Sequence, residues 1–396
     1  MNEGRYIFPQ IVDYVPRYQL DKLIAKYKGD YRSHELTTYN QFLHLFFGQI
    51  TGCKSLRDIC MCLSAHTKSL FSLGFRKTVD HTTLSRANEK RDYRIYEELG
   101  YYLIGRVRPL YAKTKIEDIT VDNVFYALDS TTISTSIKLA TWAYGKYSKG
   151  AVKMHTLLDL RGSIPANIHI TDGKWHDSNE LDEIEPEPYA IYAMDKAYVD
   201  LQALYRFHQA GAFWVSRAKD NMRYRIIETR TNFKASSGIR ADYTIQLVTS
   251  KSRTLYPENI RYVRCYDEEN DEMVVFITNN FEWDATEVAN IYRHRWDIEV
   301  FFKWIKQNIV IKTLWGYSEN AVKTHLWIAI CTYLVMALIK HDQKSGYSIT
   351  EIATLLELSA FEKVDLSELL TKPEDRPTEI FQNQNIKDQL CLTFNF

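Results

Sequence analysis

Two apolar runs of the sequence each end in an aspartate. Residues 124–128 run into Asp129, and residues 189–194 run into Asp195. In an open α/β sheet the strand ends are where side chains converge on a ligand, and an ionised carboxylate beside apolar sequence is costly unless it is solvated, paired or bound to a metal. Both aspartates are therefore candidate metal ligands. The alternative is that each begins a turn, as Asp129 could with Ser130 and the threonines after it.

A third candidate carboxylate, Glu299, belongs to a stretch with helical spacing. Four polar or charged residues of this stretch project within an arc of roughly 60° at about 100° per residue; they are Tyr292, Arg295, Glu299 and Lys306. Apolar residues of 298–309 occupy an adjacent face that would pack on a sheet. The polar stripe therefore lies at the edge of the core, where a site on a packed helix belongs. The alternative is a solvated face on which Glu299 pairs with Lys303, an exposed ion pair worth about 0.3–0.5 kcal/mol.

The elements that would position these residues change in character along the chain. Up to about residue 115, apolar residues recur at helical spacing. From Val121, short runs rich in Val, Ile and Tyr alternate with helical stretches, which is typical of a mixed α/β domain. The pattern gives three strands joined by short turns, then a strand, a crossover helix over 201–209 and another strand. This is the strand order of an RNase H-like sheet.

The predicted fold class is α/β, with an RNase H-like catalytic core that carries a β-rich insertion and follows an all-α N-terminal domain. We predict the helical domain over 1–115, the core over 120–342 and an acidic, weakly patterned C-terminal tail over 343–396. Within the core, residues 221–281 form the insertion. We expect it to leave and rejoin the core at neighbouring points without continuing the central sheet. One helix is predicted over 285–309.

Composition and charge exclude several classes of protein. A hydrophobic content of 45% with 25% charged residues is typical of a soluble globular protein. The longest apolar run, 326–339, is too short to span a bilayer, and the N-terminus lacks a signal-peptide pattern, so we expect a cytoplasmic protein with no membrane partner. Equal numbers of basic and acidic residues, 50 each, argue against a protein that coats nucleic acid indiscriminately. Residues 342–396 are acidic, with ten acidic and five basic residues.

The polar stripe also matches a known signature. The spacing Tyr292-x-x-Arg295-x-x-x-Glu299, followed by six residues and Lys306, matches in full the Y-(2)-R-(3)-E-(6)-K signature of the IS-four type of bacterial insertion-sequence transposase. Residues 128–132 look like the first-aspartate motif of that family, and Met194-Asp195-Lys196-Ala197-Tyr198 is similar to its second. The chain therefore resembles DDE transposases strongly from about residue 121 to 339, and more loosely at its N-terminus.

The resemblance implies an enzyme that cleaves DNA at terminal inverted repeats and transfers the strands to target DNA, in cut-and-paste transposition that depends on Mg²⁺. Two Mg²⁺ ions about 3.5–4 Å apart suit phosphodiester chemistry, and Mg²⁺ prefers carboxylate oxygens. By resemblance, Asp129 bridges both ions while Asp195 and Glu299 each hold one, and Mn²⁺ can substitute for Mg²⁺. Tyr292, Arg295 and Lys306 would grip the phosphates beside the scissile bond.

The implied partner is double-stranded DNA, as terminal inverted repeats and as target. Because two ends must be paired, a dimer is expected in the synaptic complex, with the protein associated with the bacterial nucleoid. In the domain over 1–115, Arg86 and Lys90 fall on a predicted helix that follows another at 55–63, and such a pair could place a recognition helix in the major groove. A generic helical bundle with a basic face explains the same residues.

Further residues are candidates for lesser roles. His155, His176 and Asp177 lie between the two aspartates in the sequence and could line the cleft, although a structural role explains the histidines more simply. Phe281 and Trp283 could stack on an unpaired base, with core packing as the alternative.

Two rival functions share much of this pattern. One is another RNase H-like nuclease, which needs the carboxylates but not the Tyr-Arg-Glu-Lys stripe. The other is a catalytically inactive DNA-binding protein descended from a transposase, against which the intact carboxylate set argues.

Overall fold

Helices fill the first third of the chain, and a large sheet with flanking helices follows. The protein is described from a computed structural model that covers residues 4–33, 35–135, 142, 150–231, 233, 238–268, 271–311 and 313–375. Within these residues, six helices precede the first strand: α1 (Ile7–Val12), α2 (Arg17–Lys26), α3 (Thr38–Ile50), α4 (Leu56–Ala65), α5 (His81–Lys90) and α6 (Arg94–Tyr111).

The described strands form a single nine-stranded sheet. They are β1 (Phe125–Thr135), β2 (Gly150–Asp159), β3 (Ile164–Asp172), β4 (Ile191–Met194), β5 (Phe213–Arg217), β6 (Tyr224–Arg230), β7 (Ile239–Leu247), β8 (Ile260–Asp267) and β9 (Glu272–Thr278). Their spatial order is β3-β2-β1-β4-β5-β9-β8-β7-β6. The β1, β4 and β5 strands are parallel, whereas β2 is antiparallel to both β1 and β3. The first five strands thus have RNase H-like order, and the expected fold class is confirmed.

Short helices lie in the connections between the strands. They are α7 (Glu180–Glu183) before β4, α8 (Leu201–Gln209) between β4 and β5, and α9 (Ser250–Leu255) between β7 and β8. Asp200 caps α8 by accepting hydrogen bonds from the backbone N–H groups of Gln202 and Ala203. Because β4 and β5 are parallel, α8 is the crossover connection that the sequence predicts between them.

Residues 221–281 are placed differently from the prediction. They hold four strands and α9, but they continue the central sheet instead of standing apart from it. The reason is that β9 returns to β5 and pairs with it antiparallel, with Val215 opposite Thr278. Without β9, the outer edge of β5 would present unpaired backbone groups. The family assignment therefore takes no support from a separate insertion.

The sequence after the sheet is helical, with α10 (Ala285–Arg293), α11 (Trp296–Asn308) and α12 (Glu319–Asp342). The single helix expected over 285–309 is wrong, because a tight turn at His294 and Arg295 separates α10 from α11. In this turn the N–H of Arg295 donates to the carbonyl of Tyr292, three residues earlier, whereas an α-helical bond would reach four residues back. The α12 helix is long and apolar enough to cross a membrane, but 94% of its apolar window is buried, so it is a core helix.

The expected C-terminal tail is folded as far as Asp375. It forms α13 (Ile349–Ser359) and α14 (Leu366–Leu369). The N–H of Ile7 donates to the carbonyl of Glu362 at 2.9 Å, and the N–H of Leu366 donates to the Gln10 amide oxygen at 2.9 Å. This part of the predicted tail is therefore acidic but helical, and its apolar residues pack on the N-terminal helices. Residues 376–396 of the predicted tail lie outside the described residues.

Two hydrophobic clusters cover the two faces of the sheet. One extends from Ile7 to Leu370 and joins the N-terminal helices, α11 and α12 to one face of β1. The other packs α8 on the opposite face, around residues such as Tyr192 and Trp214. Burial of this apolar surface holds α11 against β1, since each buried aliphatic or aromatic side chain contributes about 1.5–3 kcal/mol.

A buried histidine ties α12 to the segment after α11. The His325 ring is fully buried, bonds the carbonyl of Val310 through Nε2, and accepts the N–H of Trp315 at Nδ1, 3.2 Å away. Because Nδ1 acts as an acceptor, the ring is neutral. Burial lowers the pKa of His325 to about 4, and burial does the same for His44 in α3.

These two histidines make the protein sensitive to acid. Both are neutral in the folded state, so the unfolded chain binds more protons below its ordinary histidine pKa of 6.5. The contribution of each neutral ring to the free energy of unfolding, roughly 3 kcal/mol, is fully present above pH 6.5. It is lost as the pH falls from 6.5 toward 4. In denaturant unfolding measured across this range, His325→Gln should lower stability at pH 7.5 and flatten the pH dependence. His81→Gln, which changes a partly exposed ring, is the control, and equal slopes for wild type and His325→Gln would contradict the prediction.

Candidate active site

The two strand aspartates meet where β1 and β4 separate. Leu128 and Met194 form the last parallel pair between these strands, and Asp129 and Asp195 are the next residues of each. Beyond this point β1 continues to Thr135 and pairs with β2. Asp129 therefore lies inside a strand, not at the strand end that the sequence predicts, but its parallel neighbour ends beside it.

Arg295 connects the strand carboxylate to the helix carboxylate. Its Nη1 donates to Oδ2 of Asp129 at 3.3 Å, and its Nη2 donates to Oε1 of Glu299 at 2.8 Å. The side chain is 13% exposed, and its Nε is buried with no partner among the described residues. Glu299 thus pairs with Arg295 one turn away, which replaces the predicted alternative of a pair with Lys303.

Tyr292 brings the second aspartate into the same cluster. Its hydroxyl donates to Oδ1 of Asp195 at 3.4 Å, and its ring packs on Phe276 of β9 with the centroids 4.8 Å apart. The Arg295 guanidinium lies 5.7 Å from the Tyr292 ring centroid. Burial raises the pKa of Tyr292 to about 12, so its hydroxyl remains a hydrogen-bond donor at neutral pH.

Electrostatics show that the three carboxylates influence one another. Burial raises the pKa of Asp129 to about 6; the Ser130 N–H and Arg295 oppose the rise, and the charges of Glu299 and Asp195 add to it. Such a cluster favours additional positive charge. In the described part of the chain, however, no three His, Cys, Asp or Glu side chains lie close enough to hold one metal ion. The expectation that all three share a metal pair is therefore not met in this conformation, in which the Arg295 guanidinium lies between Asp129 and Glu299.

An open cleft of about 440 Å³ lies in front of Asp129 and Glu299. Lys306, the last residue of the signature, lines it from α11. So do two residues outside the signature and outside the predicted site, Lys303 and Gln307. Their spacing could have identified them, because they follow Glu299 by four and eight residues and so continue its side of the helix. The cleft combines a carboxylate cluster with two lysines.

A polar network supports β1 on the opposite face of the sheet. Neighbouring strand residues point to opposite faces, so the Ser130 side chain lies on the other face of the sheet from that of Asp129, although the residue also borders the cleft. Its hydroxyl donates to Asp177 at 2.8 Å. Lys153 donates to the same carboxylate oxygen at 2.9 Å. The buried His155 ring bonds Thr171 at 3.1 Å, and His176 is exposed. Asp177 therefore links β1 to β2 through Ser130 and Lys153, and it does not line the cleft.

The remaining candidates lie elsewhere. The Trp283 ring packs on Phe213 with the centroids 5.2 Å apart, and Phe281 contacts Arg230, so both are at least partly engaged in packing. Arg86 and Lys90 are exposed on α5 and line a different groove from the one that holds the carboxylates.

The chain is similar in sequence to known transposases. Residues 122–335 match the family described as Transposase DDE domain, and residues 3–76 match a domain of unknown function, DUF4372. A Geobacillus stearothermophilus protein provisionally named as a transposase for insertion sequence element IS5377 is 25% identical over 83% of this chain and 84% of its own. A Synechocystis protein provisionally named as a transposase for insertion sequence element IS4SA is 26% identical over 73% of this chain and 80% of its own.

Among solved structures, the fold is similar to that of a piggyBac transposase in a synaptic complex with hairpin DNA. The TM-score is 0.44 at 11% identity, over 93% of this chain and 80% of the other.

The family match spans more than half of the chain and includes all three carboxylates. The chain belongs to the DDE transposase family. The relatives described above are named as transposases of insertion sequences. The family consists of DNA-acting enzymes that use a divalent metal for phosphodiester hydrolysis and transesterification.

Removing Arg295 tests its place between the carboxylates. Arg295→Gln leaves two partly buried negative charges without their shared cation, so the free energy of unfolding at pH 7.5 should fall by about 1–3 kcal/mol. The matched control is Arg293→Gln, whose side chain is 63% exposed and pairs with an exposed Asp118, and whose effect should be below about 1 kcal/mol. Equal stability of the two variants in urea titrations would show that Arg295 does not compensate the cluster.

Proposed function

We propose that this transposase is of the IS-four type and performs cut-and-paste transposition of its insertion sequence. It cleaves DNA at terminal inverted repeats and joins the freed strands to target DNA. The observation that carries the proposal is the contact of one arginine with carboxylates from a strand and a helix, Asp129 and Glu299, which line an open cleft. Asp195 joins the cluster through the Tyr292 hydroxyl. Phosphodiester chemistry on a carboxylate cluster suits this arrangement.

The donor set fits a divalent metal. Asp129 and Glu299 already share one cationic group. Burial raises the pKa of Asp129, and the negative charges of Glu299 and Asp195 add to the rise. Carboxylate oxygens are the ligands of Mg²⁺ and Mn²⁺. We assign Asp129, Asp195 and Glu299 as the residues that hold two Mg²⁺ ions, with Mn²⁺ as a substitute. When bound, such ions supply an activated nucleophile and stabilise the leaving oxygen.

Three residues of the signature position the DNA strand. Arg295 has a guanidinium fork that suits a phosphate as well as a carboxylate, so it can exchange its present carboxylate partners for a DNA phosphate. Tyr292, whose hydroxyl stays protonated, can donate a hydrogen bond to a phosphate oxygen. Lys306 lines the cleft and contributes positive charge along the strand.

The partner is double-stranded DNA, in the form of transposon ends and target. We assign end binding to the helical region 1–115, with Arg86 and Lys90 in contact with DNA, and catalysis to the region 120–342. Because two ends must be cleaved together, the active assembly is a dimer in the synaptic complex.

Replacing the central carboxylate separates catalysis from binding. Asp129→Asn removes a metal-binding charge without altering the helical region, so nicking of a labelled end fragment in Mg²⁺ should fall by orders of magnitude, while the fragment is still shifted on a gel. Asp122→Asn, an exposed carboxylate three residues before β1, is the control and should cleave normally. If Asp129→Asn cleaves as well as wild type, the active-site assignment is wrong. If wild type binds the ends but never nicks them in Mg²⁺ or Mn²⁺, the protein is an inactive binder.

Metal binding can be measured without any reaction. A ligand that binds only the folded state at 100 times its Kd stabilises that state by about 2.7 kcal/mol. Mg²⁺ or Mn²⁺ should therefore raise the melting temperature of wild type in the absence of DNA. The rise should disappear in Asp129→Asn and in Glu299→Gln, and remain in Asp122→Asn. An equal rise in all four proteins would place the metal elsewhere.

A further inference from the structure

A second groove, distinct from the carboxylate cleft, lies in the N-terminal helical region. Its volume is about 650 Å³. One wall is formed by residues 27–29, 31–33, 35 and 36, which follow α2, and the other by Thr83, Arg86, Ala87 and Lys90 of α5. The first wall lies within the stretch that matches the domain of unknown function.

The charges in this groove are not balanced. Its exposed cations make no ion pair with any residue in the described part of the chain; they are Lys28, Arg32, Arg86 and Lys90. The two acidic residues of the lining are already neutralised from outside it, because Glu35 pairs with Lys77 at 3.8 Å and Asp92 pairs with Arg94 at 2.5 Å. The groove is therefore a concentrated positive site, although the chain as a whole has a formal net charge of zero.

The loop wall is held in place by hydrogen bonds. Arg91 follows α5, and its guanidinium donates to Oε1 of Gln41 and to Oγ of Ser33, each at 2.9 Å. Asp30 accepts the N–H of Thr38 at 2.6 Å and its hydroxyl at 2.8 Å. These bonds fix the loop against α3 and α5, so its cations face those of α5 without first having to be ordered.

Two of the cations occupy an unfavourable backbone conformation. Lys28 has φ +52° and Arg32 has φ +54°. Residues other than glycine and asparagine are rare in this left-handed region. Lys28 directly follows Tyr27, the C-cap of α2, at the position where helices prefer glycine. The glycine follows one residue later, at position 29, where a Cβ atom would lie 2.7 Å from Oγ1 of Thr38. Exchanging Lys28 and Gly29 would therefore create a clash. Backbone strain of this kind is concentrated at binding and active sites.

We propose that this groove binds the phosphate backbone of duplex DNA, with Lys28 and Arg32 on one side and α5 on the other. Arg86 and Lys90 are four residues apart and lie on the same side of α5, so they can follow one strand while Lys28 and Arg32 contact phosphates from the loop. The proposal rests on the proposed function and extends it, since it gives the N-terminal region of unknown function a part in holding transposon DNA.

Binding is measured by fluorescence anisotropy with the full-length protein, a labelled duplex of a transposon end, and EDTA to prevent cleavage, across a salt series. The loop variant Lys28→Gln/Arg32→Gln should bind about tenfold more weakly at moderate salt, and the slope of log K against log salt should become shallower by about 0.9 for each lost phosphate contact. Arg57→Gln/Lys68→Gln is the control; it removes two exposed cations outside the groove and should bind nearly as wild type.

A third variant distinguishes binding from folding. Lys28→Gly relieves the left-handed strain, so it should raise the melting temperature and yet weaken DNA binding. A loop variant that binds like the control, or a Lys28→Gly that binds like wild type, would overturn the groove assignment. Equal loss of affinity for single-stranded and duplex DNA would overturn the assignment to duplex.

The same variants separate this proposal from the catalytic one. At saturating protein in Mg²⁺, the loop variant should still nick the end fragment, because its carboxylate cleft is unchanged. If wild type nicks and the loop variant binds normally, the groove proposal fails and the catalytic one stands. If DNA binding depends on the groove but wild type never nicks, the catalytic proposal fails and the groove stands.

Discussion

The site depends on keeping carboxylates close together in a partly buried position, and Arg295 is the group that makes this possible in the conformation described. It compensates Asp129 on β1 and Glu299 on α11 with one guanidinium. Without a cation between them, two such charges would repel each other in a medium that screens them poorly. The rest of the fold can be understood as the framework that brings these two elements to a fixed separation.

That framework has two parts. The sheet places Asp129 and Asp195 side by side because β1 and β4 are parallel and in register up to Leu128 and Met194. The helices place Glu299, because α11 packs on β1 through one hydrophobic cluster that also contains α12 and the N-terminal helices. A helix held by so extensive a core cannot retreat from the sheet, so the negative charges persist as a site.

The site was predictable from the sequence to the extent that its signals were local. Asp129, Asp195 and the Tyr292 to Lys306 stripe follow from apolar runs and fixed spacing. The predicted helix and strand positions differ from the structure at the break near His294 and at Asp129, beyond which β1 continues. The pairing of β9 with β5 and the packing of the 343–375 segment on α1 depend on contacts between residues far apart in the sequence. Neither leaves a spacing pattern. The contact of Arg295 with Asp129 joins positions 166 residues apart, so spacing could place Arg295 in the stripe but could not reveal its partner.

The formal net charge of zero conceals an arrangement in which the two kinds of charge are separated in space. Several basic side chains that could neutralise a phosphate have acidic neighbours, as Arg293 has in Asp118 and Arg94 in Asp92. Each such pair would have to be broken before the cation could bind DNA. The four cations of the N-terminal groove have no such competitor among the described residues, and those of the cleft stand beside carboxylates suited to metal. The ion pairing of individual basic side chains, and not the net charge of the chain, therefore decides where this protein can bind DNA.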